Sequence, residues 1–144
     1  MRRIIIFMAL LAAYTGHLNA QVSVRLTVTG FRGNEGSLLL AVYDDESQFP
    51  YEPSIEYIWP KDTLTGEKMV VDFDLPVAGE YSFSILDDTD GDGKMDKNFI
   101  GLPQERFGFS NDAGPVLFSP PDYADCVVKM AAGTNDMSIS LQRF

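Results

Sequence analysis

The chain has 144 residues and carries 21 acidic against 11 basic side chains, a formal net charge of −10. So acidic a surface repels nucleic acid and anionic membrane and attracts cations, which excludes a nucleic-acid role. One histidine and one cysteine leave little material for imidazole chemistry or for disulfides.

The first residues, MRRIIIFMALLAAYTGHLNA, place Arg2 and Arg3 before a short apolar run from Ile4 to Tyr14, and small or polar residues lead on to Ala20. This is the layout of a secretory signal peptide over residues 1–20, cleaved between Ala20 and Gln21. The run is too short to span a bilayer, which takes about 20 apolar residues. No cysteine stands at the cleavage point to carry a lipid, so an exported, soluble chain without membrane insertion is expected, periplasmic or extracellular. Residues 21–144 then form a single domain. Loss of the two arginines takes the charge of −10 two units lower. His17 leaves with the leader, so the mature chain has no histidine. Cys126, in the apolar run CVVKM, reads as a buried, inert thiol.

From Gln21 onward the chain reads as strands. In VSVRLTVTG, Val22, Val24, Leu26 and Val28 alternate with polar residues, a period of two with one apolar face. FRGNEG is a turn signal, and SLLLAVYDD is a continuous apolar run expected of a strand covered on both faces. KMVVDFDL alternates through Met69, Val71 and Phe73, and EYSFSIL through Tyr81, Phe83 and Ile85 against Ser82 and Ser84. DMSISLQRF repeats the pattern with Met137, Ile139 and Leu141. No window has a helical period beyond a single turn near Pro121 to Asp125. The fold class expected is all-β, an antiparallel β-sandwich of about seven strands. Two long loops are expected, 46–62 and 87–122, and the aromatics of the second argue against disorder.

The second loop opens with D-T-D-G-D-G-K-M-D from Asp88. Carboxylates at Asp88, Asp90, Asp92 and Asp96 occupy loop positions one, three, five and nine, with Gly93 at six. That spacing follows the first nine positions of an EF-hand calcium loop. Calcium takes six to eight oxygens, and alternate residues of a tight turn aim theirs inward. The Lys94 carbonyl at position seven would add another oxygen. Without a cation the acids repel by about 1 kcal/mol per close pair even at water's dielectric. Position twelve is Phe99 rather than a bidentate glutamate, and the loop leaves a strand, so it is not an EF-hand. The expectation is a strand-borne calcium site (Asp88, Asp90, Asp92, Lys94, Asp96) completed by Asp87, Asn98 or a more distant residue. The alternative is an empty Gly- and Asp-rich turn.

With loop and flanks together, the chain resembles the exported bacterial family catalogued as domain of unknown function 2141. The resemblance rests on VRLTVTGFRGNEGSLLLAVYDDESQFP, on LPVAGEYSFSILDDTDGDGKMDKNFIGLPQERFGFSND and on GPVLFSPPDYADCVVKM. Members commonly carry histidine where this chain has Asp87, so no role of that histidine carries over. Many have asparagine where Asp90 and Asp92 stand, so this copy is the more acidic. The resemblance implies a β-sandwich of transthyretin-like or carboxypeptidase-regulatory-like character and export, and it leaves activity open.

Ser110 in GFSND has no histidine or motif lysine to act as its base. Tyr57 and Trp59 read as core under the first loop rather than as a ligand platform, and Phe107 and Phe109 as loop anchors. The functional expectation is a non-enzymatic binding or structural module of the cell envelope, monomeric, with calcium stabilising the fold and an envelope protein or glycan as partner. The rivals are a hydrolase using two carboxylates on an envelope polymer, and an adhesion or assembly partner using a sheet edge or the 46–62 aromatics.

Overall fold

The computed structural model describes residues 21–143. The expected signal peptide, residues 1–20, lies outside the described residues. Alternating apolar side chains build most of the strands: β1 (Val22–Thr29), β2 (Ser37–Tyr43), β3 (Ile55–Pro60), β4 (Lys68–Leu75), β5 (Gly79–Asp88), β6 (Arg106–Phe109), β7 (Val128–Met130) and β8 (Gly133–Ser140). One helical turn, α1 (Tyr123–Cys126), falls where the sequence predicts it.

Two sheets form a sandwich. One has the order β4-β1-β8, and the other has β3-β2-β5-β6 with β7 added to β5. All pairs are antiparallel except β1 with β8, which run parallel. Period two explains the core. Val22, Val24, Leu26 and Val28 of β1 meet Leu38, Leu40 and Val42 of β2 and Tyr81, Phe83 and Ile85 of β5 between the sheets. Each such side chain, fully buried, contributes roughly 1.5–3 kcal/mol relative to leaving it in water.

Both long loops expected from the sequence are interrupted by strands. β3 lies inside 46–62, where Pro50, Pro53 and Pro60 obscure the alternation of IEYIWP. It is an edge strand with Pro60 at its end, where a missing N–H is tolerated. Tyr57 and Trp59 stack at 5.5 Å and pack against the main core, as expected. β6 lies inside 87–122. Its Gly108 has no side chain because a Cβ there would meet the Ile139 side chain at 2.7 Å and the Ser140 carbonyl at 2.9 Å. Phe107 and Phe109 therefore face away from the sandwich and form a second small cluster with Cys126. β2 alternates buried with half-buried residues, so its outer face is only partly covered rather than buried like the inner one.

Candidate metal centre

Adjacent residues of a strand point to opposite faces, and this separates the two acids that end β5. Asp87 continues the inward series Tyr81, Phe83, Ile85. It is 3 % exposed and forms an ion pair with Lys61, itself 2 % exposed, whose ammonium lies 5.6 Å from the centre of the Phe31 ring. Asp88 continues the outward series and opens the acidic loop. Asp87 is therefore held on the other face and does not complete a site with Asp88.

The loop is wound around Asp88. Its two carboxylate oxygens accept the Gly91 N–H at 2.8 Å and the Gly93 N–H at 3.0 Å. Gly93 has φ +76°, a left-handed conformation that glycine adopts without strain. Asp90 accepts the Asp92 N–H, and Asp92 accepts the Lys94 N–H at 2.7 Å. Gly36 clamps the start of the loop from β2's side. A Cβ on it would sit 1.9 Å from the Asp88 carbonyl oxygen, and its φ is +77°.

The acid that sequence spacing does not identify is Glu105. The β5–β6 register ends with Asp87 opposite Arg106, and one step further sets Asp88 opposite Glu105. Glu105 is 5 % exposed. One of its oxygens accepts the Thr89 N–H at 2.8 Å and the Thr89 hydroxyl at 3.1 Å, and the other accepts the Asp96 N–H at 3.3 Å. Like charges directly opposite on a sheet destabilise it, and here both carboxylates are buried. Among the described residues no lysine or arginine forms an ion pair with either acid.

Ligand-capable oxygens of Asp88, Asp90 and Glu105 lie within 4.8 Å of one another, and so do those of Asp90, Asp92 and Asp96. Asp90 belongs to both groups and joins them. The crowding raises the pKa of Asp96, chiefly through the charge of Asp90, with burial, Asp92 and Glu105 adding to it. Of the residues predicted from spacing, the four aspartates thus come together, and Lys94 stands exposed between them. Asn98 is used elsewhere, because its side-chain oxygen accepts the Ile100 and Leu102 N–H groups. Phe99, at the twelfth position, is 99 % exposed. The only cue to Glu105 in sequence is its parity with Phe107 and Phe109, which places it on their face of β6.

Over residues 26–138 the chain matches the family model described as an uncharacterized protein conserved in bacteria (DUF2141). The chain belongs to this DUF2141 family. The match takes in the whole acidic loop and Glu105. No curated protein and no solved structure matches the chain.

The other candidate centres are structural. Ser110 is buried, donates to the Cys126 carbonyl and accepts the Phe83 N–H at 3.0 Å. Burial pushes the Cys126 thiol up to about 11, so it stays protonated and inert at neutral pH. Among the described residues no helix is long and apolar enough to cross a membrane.

Proposed function

We propose that this DUF2141 member is an exported, non-catalytic module of the bacterial cell envelope whose 88–96 loop binds calcium. Asp88, Asp90, Asp92 and Asp96 supply side-chain oxygens, Lys94 its carbonyl, and Glu105 the acid that the spacing lacks at position twelve. The observation that carries this reading is Glu105 buried against Asp88 with no cationic side chain paired to either. Each carboxylate oxygen already holding an N–H retains a second lone pair for a cation. Six or more oxygens of this kind suit calcium, whereas magnesium keeps several waters and takes fewer carboxylates.

Calcium would tie the end of β5 to the start of β6 and so fix the connection between them. A ligand that binds only the folded chain adds about 2.7 kcal/mol at a hundredfold excess over its Kd. Thermal melts in millimolar calcium and in chelator test this: the midpoint is expected to rise with calcium. An unchanged midpoint, with no heat of binding, contradicts it.

The hydrolase reading needs two free carboxylates in a cleft, one with a raised pKa. Away from the loop, Asp72 and Asp74 line a shallow depression on the outer face of β1 and β4. Asp72 is held by Arg25, which lowers its pKa, the wrong direction for a general acid. Asp74 accepts hydrogen bonds from Gln21 and Ser23. These observations favour the non-catalytic reading.

A further inference from the structure

We infer that the groove on the outer face of the five-stranded sheet binds a small amphiphile with a long hydrocarbon body and one anionic head, a free fatty carboxylate. The groove holds about 750 Å³, within the range of roughly 300–1,000 Å³ typical of small-molecule sites. Its floor is the partly covered face of β2 and β5, where Leu39, Ala41 and Leu86 are only half-buried.

Three separate segments wall it: Pro50 to Pro53, the stretch from Gly93 to Pro103 that follows the acidic loop, and Pro115 to Pro120. The last contains a two-residue hairpin, closed by Val116 and Ser119 bonding each other at 2.9 Å in both directions. Its central residues, Leu117 and Phe118, have φ +46° and +70°. Asn-Gly is the usual choice at these positions, because large side chains are strained there. Here the strained turn places Phe118 on the groove wall and leaves Leu117 88 % exposed beside it.

The chemistry of the lining selects the occupant. Deep in the groove the Tyr43 hydroxyl donates to the Pro50 carbonyl at 2.8 Å and lies 3.3 Å from the Ser84 hydroxyl, so these polar groups satisfy one another. β2 and β5 are interior strands, paired on both sides. A peptide brings one N–H and one C=O per residue that need partners, and a sugar brings hydroxyls; this floor has few partners left for either. A hydrocarbon chain asks for none.

Charge sits at the rim instead. Lys94 and Lys97 line the groove against the single acid Glu56, in a chain whose net charge is −10. Neither lysine is in an ion pair among the described residues. A body without hydrogen-bonding groups and a head with negative charge complement that lining.

Calorimetric titration of the chain with dodecanoate, dodecyl maltoside and dodecyltrimethylammonium, each below its micelle concentration, tests the inference. Calcium-free buffer keeps the carboxylate soluble and separates this outcome from that of the calcium reading, which it does not use. One dodecanoate per chain is expected, with both other amphiphiles weaker. Ala41→Phe, which fills the floor, should abolish binding. Lys94→Glu with Lys97→Glu, both at the surface, should weaken dodecanoate roughly tenfold while leaving the maltoside unchanged, a difference of about 1.4 kcal/mol. The inference is overturned if dodecanoate does not bind, if all three bind alike, or if the lysine reversals leave its affinity unaltered.

Discussion

Asp87 and Asp88 are neighbours in the chain, both buried, and they meet opposite fates. Asp87 points between the sheets and is neutralised by Lys61 in a closed pair beside Phe31. Asp88 points outward and is surrounded by backbone N–H groups and by more acids, Glu105 nearest among them in strand register. A buried charge with its own counter-charge is a structural device. A buried charge among like charges is a site that asks for a cation from solution. Burial alone does not distinguish the two; the partners do.

The largest effect is expected on the closed side. Lys61→Met leaves Asp87 buried without a partner and should cost about 3–5 kcal/mol, read by denaturant unfolding. Adding Asp87→Leu should recover much of that loss, because two apolar residues replace a buried pair at little cost. Failure of the double variant to recover would break the contrast, since Asp87 would then be serving more than Lys61.

Gly36→Ala tests the clamp between the two regions. Left-handed backbone alone costs about 1–2 kcal/mol for a residue with a Cβ, and the approach to the Asp88 carbonyl adds to it. The expected result is a lower melting midpoint together with a smaller shift on adding calcium. A variant that melts like the parent shows that the loop's start is free to move.

The smallest effect concerns pH. The pKa of Asp96 is raised from its ordinary 3.8, first by Asp90. In chelator the folded chain therefore takes up this proton before the unfolded chain does, so its contribution to stability grows as pH falls through the raised value towards 3.8 and is lost as pH rises. Asp96→Asn should flatten that part of the melting-versus-pH curve. The same proton competes with calcium, whose affinity should weaken on acidification.

Much of the fold was legible because period-two alternation is a direct consequence of strand geometry. It marked β1, β4, β5 and β8 and, continued to the end of β5, it also separates Asp87 from Asp88. The two strands hidden inside expected loops lack that signal. β3 is framed by prolines, and β6 has four residues with a glycine where β8 passes close. Glu105 was illegible for the same reason. Its place beside Asp88 depends on the pairing of β6 with β5, which no local spacing records. The four aspartates, by contrast, are close in sequence, and a tight turn brings them together without help from the rest of the fold.

The most direct test of the central claim is a calcium titration by isothermal calorimetry on the parent chain and on Glu105→Gln, side by side. Glutamine keeps the size of the side chain while removing its charge. The account predicts one saturable calcium site in the parent and a loss of at least about tenfold in affinity in the variant, some 1.4 kcal/mol. Equal affinities in the two chains, or no calcium binding to the parent, would contradict it.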